Sequence, residues 1–446
     1  MRRHLEKELI IWKNRPDKLP LILRGARQVG KSFLVEAFGK NHFESLVTIN
    51  FEFEPAFREC FATLDPAKII PAIEILANKT IQAGKTLLFL DEIQECPQAL
   101  LSLRYFKEKM PELHVIAAGS LLEFVIHEEE FSFPVGRIQF LYLKPLSFHE
   151  FLTALDETKS LDYLSQVEAK DKIGDSIHRH LLSLFRQYML VGGMPAAVKA
   201  YLEQRSFLTA QRTHQVLLQT YQSDFGKYAT KAQFKYLQKF FEKAPAVVAQ
   251  HFKYVEIDSE ARSRDLKTAL QQLVWAGLLY YVHETNASGI PLQAQIDDRK
   301  FKILLLDIGL LQTAGRVDIQ SVWEQDILQI RAGSLAEQIV GQELMAYQDC
   351  YEIPHLYFWK REQKTSQAEV DYLFQIRDRS IPIEVKAGAL GRLKSLQLFM
   401  EEKKSTIGIK ISSAPLSLDG KLLSVPLYLI GEIPRLLDPI LNKRPH

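Results

Sequence analysis

Gly25-Ala26-Arg27-Gln28-Val29-Gly30-Lys31-Ser32 has the spacing G-x-x-x-x-G-K-[ST]. Glycines at both ends let a loop turn tightly and bring backbone N–H groups against phosphate oxygens. A helix beginning at Lys31 would aim the positive end of its dipole at the same oxygens. Lys31 is expected to reach the β- and γ-phosphates of a nucleotide, and the Ser32 hydroxyl to ligate Mg²⁺. A chance Gly-rich turn is the competing explanation. The apolar run before the loop and the helical pattern after it weigh against that, so ATP and Mg²⁺ are the expected ligands.

A second run, "TLLFLDEIQ", delivers Asp91 and Glu92 at the end of a buried strand. The carboxyl ends of such strands are where an α/β sheet places ligand chemistry. Asp91 suits the Mg²⁺ shell, and Glu92 suits polarising an attacking water. The run "HVIAAGSLLEF" ends a further strand at Ser120, which could bond the γ-phosphate or the water, or cap a helix.

Near the C-terminus, "AEVDYLFQI" and "IPIEVKAG" read as two strands joined by the turn "RDRS". Alternation puts Glu369 and Asp371 on one face, and Glu384 and Lys386 together on a face of the second strand. Across a hairpin, Asp371 and Glu384 would hold a divalent cation, and Lys386 would orient water or a scissile phosphate. Glu337, in "GSLAEQIVGQEL", is placed on a preceding helix as a third acid. An ordinary hairpin with a solvated charged face is the competing reading.

These residues need elements to position them. Residues 21 to 145 alternate apolar runs ("LPLILRG", "LVTINFE", "KTLLFLDE", "HVIAAGS") with helical stretches, which implies a mostly parallel α/β sheet. Residues 146 to 225 read as helical, with a break at "VGGMP". Residues 232 to 308 pattern like a winged helix. Its expected recognition helix, "DSEARSRDLKTALQQLVWAGLL", is capped by Asp258 or Ser259, buries Leu266, Leu270, Leu273 and Val274, and exposes Arg262, Arg264 and Lys267.

The 446 residues imply several domains. Lys+Arg at 56 against Asp+Glu at 54 gives no whole-chain field for nucleic acid, though a local basic face remains open. Cys60, Cys96 and Cys350 are scattered without zinc or redox spacing, which fits a reducing compartment. The start lacks a signal-peptide pattern, and no apolar run approaches the roughly 20 residues that span a bilayer. A cytoplasmic protein that does not engage a membrane is expected.

The order of phosphate loop, "LDEIQ", "GS" and "FPVGRIQFLYLKPLSFHEFL" resembles bacterial and archaeal ATPases of the AAA superfamily that carry a C-terminal domain of unknown function. The likeness extends over nearly the whole chain through "LVGGMP", "LLLDIGLL" and "EVDYLF…IPIEVKAG". It implies ATP hydrolysis and places Arg137 where a basic residue could sense the γ-phosphate, in its own subunit or a neighbour's. A structural arginine tied to a carboxylate is the alternative.

The tail resembles the PD-(D/E)xK, or restriction-endonuclease-like, core through Asp371, Glu384-Val-Lys386 and Glu337, although Val370 rather than proline precedes Asp371. The implied organisation is an AAA-type core at 1–160, a helical lid at 161–228, a winged-helix-like domain at 229–315 and a nuclease-like domain at 316–446. One functional expectation is an ATPase acting on DNA or RNA with a nuclease-like tail. The other is an ATP-driven switch whose inert tail binds a protein partner or another copy of the chain.

Overall fold

The computed structural model describes residues 1–126, 136–316, 333–363, 366–386 and 393–442. The chain forms two compact units. One comprises Met1–Lys144 with Trp275–Gly277 and Asp349–Ile353, and the other Pro145–Val274, Leu278–Gln348 and Pro354–His446.

The first unit is a five-stranded sheet of β1 (Leu21–Arg24), β2 (Ser45–Asn50), β3 (Thr86–Asp91), β4 (His114–Ala118) and β5 (Gln139–Tyr142), in the order β2-β3-β4-β1-β5. Every pairing is parallel. All positions of β1, β3 and β4 are buried, which explains why they read as unbroken apolar runs rather than alternating ones. Ile22, Leu88, Leu90 and Val115 share a core with Ile69, Ile73, Leu103 and Phe106 from the helices Pro66–Ala77 and Pro97–Lys109. The four apolar runs form β1 to β4. β5, inside "GRIQFLYLKP", is a fifth strand that the sequence reading did not mark. β1 sits between β4 and β5, so the strand order is non-sequential at the strand that feeds the phosphate loop, where such sheets place their ligands.

The second unit opens with the helices Phe148–Ala154, Thr158–Gln166, Asp175–Val191, Pro195–Gln204 and Phe207–Tyr228. An eight-stranded mixed sheet follows, from β6 (Leu279–Thr285), β7 (Ile296–Leu305), β8 (Leu356–Gln363), β9 (Ser366–Ile376), β10 (Arg379–Val385), β11 (Gly408–Ser412), β12 (Ser417–Asp419) and β13 (Leu422–Pro426). Its order is β12-β13-β11-β10-β9-β8-β6-β7. β6 pairs with β8, so the sheet runs through the expected border at 315/316.

In the region expected to be a winged helix, Leu266, Leu270 and Leu273 are buried, Val274 is half-buried, and Arg262, Arg264 and Lys267 are exposed. Two details differ from expectation. The helix starts at Ser263, so neither Asp258 nor Ser259 caps it, and Asp258 instead ends the short helix Tyr254–Ile257 and pairs with Lys239. The β6–β7 hairpin, which would be the wing, is built into the eight-stranded sheet.

The break at "VGGMP" has a cause in this unit. Asp307 is fully buried and accepts from Gly193 N–H (2.6 Å), and also from Gly309 and Leu310 N–H at the start of the helix Ile308–Ala314. Gly192 has φ +71°, and a Cβ there would lie 2.4 Å from the Asp307 carboxylate. Those contacts fix "LVGGMP" against "LLLDIGLL" and account for two of the motifs that stand out in the sequence.

Candidate functional site

β1 ends at Arg24, and the chain enters the phosphate loop at Gly25 with φ +140°. A Cβ at Gly25 would lie 2.1 Å from the Leu143 carbonyl oxygen, so both backbone angle and space demand glycine. Gly30 is left-handed (φ +94°) and caps the helix Lys31–His42. Lys31 is buried, and its Nζ donates to the Gly25 and Ala26 carbonyls, each at 2.9 Å. Burial pushes its pKa down to about 8, against the pull of Glu92 and Asp91. Its partners are neutral carbonyls, so the ammonium is held at the loop without an anion bonded to it.

β3 brings Asp91 to the same edge. Ser32 hydrogen-bonds the Asp91 carboxylate, whose pKa burial raises, and Asn50 Nδ2 donates to Asp91 Oδ2 at 3.2 Å. A hydroxyl and a carboxylate meeting there form an oxygen set that fits Mg²⁺, with nucleotide phosphates supplying the rest. Glu92 is left-handed (φ +49°), and its Oε2 accepts from Gln94 Nε2 (2.7 Å) and Ser120 Oγ (3.4 Å). Ser120 therefore orients Glu92 rather than standing alone. Gln94 does the same and was missed, although it lies inside "LDEIQ".

Arg137 departs from the expectation of a phosphate sensor in its own subunit. It precedes β5, whose first residue Gln139 pairs with Leu21 at the start of β1. It thus lies at the sheet edge opposite the loop, exposed, with Nε 3.4 Å from Glu108. From there it does not reach phosphates on its own loop.

In the second unit, Glu337, Asp371, Glu384 and Lys386 come together as the spacing implied. Glu337 lies in the first turn of the helix Ser334–Ala346. Two residues of β9, Asp371 and Tyr372, stand opposite Phe358 of β8, because Tyr357 pairs with Leu373 and Trp359 with Val370. This bulge re-aims the strand: Tyr372 donates to the Glu337 carbonyl (2.7 Å), and Asp371 Oδ2 accepts from Val385 N–H (2.7 Å). Asp371 is close enough that its charge, after burial, raises Glu384 to a pKa of about 7. Lys386 Nζ lies 2.6 Å from Glu384 Oε1, while Glu384 Oε2 is buried and has no hydrogen-bond partner among the described residues.

Three further residues complete the cluster. Lys302, in β7, lies 2.9 Å from Glu337 Oε2 and 2.6 Å from Glu369 Oε1, and 5.3 Å from the centre of the Phe358 ring. Burial would lower its pKa, but Glu337, Glu369 and Asp371 together raise it well above the lysine range. His251 Nε2 lies 2.6 Å from Glu369 Oε2. Burial would raise Glu369, yet His251 and Lys302 outweigh it and hold the carboxylate down to about 2. Glu337 rises to about 7 through burial despite Lys302. Among the described residues, no three His, Cys, Asp or Glu side chains are arranged to hold a metal ion. For the expected Mg²⁺ ligands Asp371 and Glu384, the neighbouring cations Lys302 and Lys386 already lie against the acids of the cluster. A lysine inside the apolar run "KFKILLL" was the signal for Lys302, since an ammonium is rarely buried unpaired.

Residues 17–152 match the AAA domain family. Residues 182–322 and 332–428 match two families described as domains of unknown function. The parallel sheet and phosphate loop of the first unit are those of a P-loop AAA domain. No curated protein matches the chain. Solved structures that resemble it include the Aeropyrum pernix Orc1 protein in complex with DNA, at 11% identity and TM-score 0.31, over 72% of this chain and 95% of that one. The Thermotoga maritima RuvB Holliday junction branch migration motor gives 15% identity and TM-score 0.30, over 63% and 89%. A Pyrococcus horikoshii signal transduction ATPase with a tetratricopeptide repeat sensor gives 12% and 0.27, over 77% and 47%. Among the described residues no helix is long and apolar enough to cross a membrane.

Proposed function

We propose that the chain binds ATP with Mg²⁺ and hydrolyses it at the phosphate loop. The observation that carries this is the meeting of Ser32 with Asp91 beside Lys31, with Glu92 held by Gln94 and Ser120. Lys31 exchanges the Gly25 and Ala26 carbonyls for phosphate oxygens. Ser32 and Asp91 hold the Mg²⁺, which neutralises phosphate charge when bound. Glu92 polarises the attacking water. Arg137 is assigned to the site of a neighbouring copy. Phosphate release should fall on the order of a hundredfold or more in Glu92→Gln. Mixing that variant with Arg137→Ala should restore part of the rate. Wild-type release from Glu92→Gln would remove Glu92 from the mechanism, and no gain on mixing would remove Arg137.

For the tail we favour the nucleotide-driven switch, in which a nuclease-like arrangement of acids cuts nothing and serves a protein partner. Lys302 between Glu337 and Glu369 supports this, because the acids already have a cation. A second reading, Mg²⁺-dependent cleavage of DNA or RNA, is favoured by the unpartnered buried Glu384 Oε2 beside Asp371. Incubating the protein with DNA and RNA at low salt in Mg²⁺ or Mn²⁺ decides between them. Cleavage that disappears in Asp371→Asn selects the second reading.

A further inference from the structure

We infer that Arg3 is a positioning residue for the phosphate loop: it pins the Val29 carbonyl and so aims the Gly30 N–H at a bound phosphate. The inference rests on the nucleotide reading of that loop. Arg3 lies outside the segment 17–152 that matches the AAA domain, and nothing in the loop motif points to it. It is 7% exposed. Its Nη1 donates to Val29 O at 2.9 Å and its Nη2 to Lys144 O at 2.5 Å. The guanidinium fork therefore ties the loop to the chain just beyond β5 through two carbonyls at once. A lysine, with one ammonium, reproduces that poorly.

The consequence follows from peptide geometry. In a planar trans peptide the C=O and N–H point in opposite directions, so holding the Val29 oxygen fixes where the Gly30 hydrogen points. The need for a hold is local. Gln28 (φ +68°) and Gly30 (φ +94°) flank Val29 with left-handed backbone, so this peptide plane lies outside the strand ladder before it and the helix after it. Lys31 cannot supply the hold. Its bonds go to the Gly25 and Ala26 carbonyls, and it must leave them to meet phosphate. Arg3 meets this peptide on its carbonyl side, opposite the N–H that would face phosphate, so ligand binding does not compete with that bond. The loop then keeps one fixed carbonyl while Lys31 changes partners.

Isothermal titration of the full chain with Mg²⁺-ATP and with ADP tests this, alongside steady-state hydrolysis and melting without nucleotide. Arg3→Met should weaken both nucleotides by about tenfold or more, the loss associated with a hydrogen bond to a charged group. It should raise KM while leaving kcat close to wild type, and millimolar guanidinium should recover part of the affinity. Arg3→Lys should lose less. Should Arg3→Met fail to fold, Arg3→Lys with the same KM-against-kcat split decides. Arg3 variants that melt earlier yet bind ATP within twofold of wild type overturn the inference and leave Arg3 as a structural tie. Failure of the wild-type chain to bind ATP overturns the nucleotide reading instead.

Discussion

Lys31 and Lys302 are both buried lysines, at 7% and 3% exposure, and their environments push them in opposite directions. Lys31 rests on two backbone carbonyls and is lowered to about 8, because burial outweighs the attraction of Glu92 and Asp91. Lys302 touches Glu337 and Glu369 and is raised, because carboxylates outweigh burial. A buried ammonium on neutral dipoles still gains from an arriving anion. One already between two carboxylates gains little. The contrast separates a lysine held by neutral dipoles from one held by carboxylates, although both sites are built from acids and lysines.

The most damaging way to break the contrast is to remove the internal cation. Lys302→Met keeps the apolar stem and deletes the buried charge, leaving the half-buried Glu337 and Glu369 with less compensation. Breaking such a pair costs about 3 kcal/mol or more. Urea unfolding of the second unit should report that loss. Mn²⁺ should then restore stability in the variant far more than in wild type, since a divalent cation can take the vacated role. Equal Mn²⁺ response in both proteins would mean Lys302 is not what closes the cluster.

The open side is tested by Lys31→Ala. Deleting a charged contact to the β- and γ-phosphates should weaken ATP on the order of a hundredfold. Without nucleotide the melting temperature should move little, since the lysine's partners there are two neutral carbonyls. Unchanged ATP affinity by titration would erase the contrast from this side.

What the sequence disclosed follows the same division. The phosphate loop was legible because its eight residues are contiguous and each type has one job. Glu337, Asp371, Glu384 and Lys386 were within reach of a local reading because they lie close together in the chain, on one helix and the two strands of a hairpin and its end. Lys302 left a signal, a lysine inside an apolar run, but its partners and His251 left none, because the pairings that bring β7 and β6 beside β8 join segments far apart in the chain. The bulge at Asp371 and Tyr372 was invisible to an argument from strict alternation. Arg137 was placed by motif order, which does not say at which end of β5 a residue falls.

Glu343 extends the comparison to a buried acid with no cation bonded to it, and it carries the smallest expected effect. It is 1% exposed, accepts from Phe148 N–H through both oxygens (3.2 Å each), and lies 2.7 Å from Tyr188 Oη. Tyr188 has one proton and lies equally close to the Leu146 carbonyl. A protonated Glu343 satisfies the group: Tyr188 donates to Leu146, and Glu343 donates to the tyrosine oxygen. Burial pushes the Glu343 pKa up to about 8, with neighbouring Glu150 adding to it. The folded value lies above the unfolded one, ~4.3 for a free glutamate. Between those two values the folded chain therefore binds the extra proton, and stability falls as pH rises through that window until the folded state also ionises. From pH 6 to pH 8 the loss should be on the order of 2 kcal/mol. Glu343→Gln cannot ionise and still donates and accepts, so its stability should vary less over the same range. Unfolding of both proteins in urea at pH 6 and pH 8 measures the difference, in which the other titrating groups largely cancel. Parallel pH slopes would mean that Glu343 is ionised in the folded chain, with Phe148 N–H and the Tyr188 and Tyr347 hydroxyls as its donors.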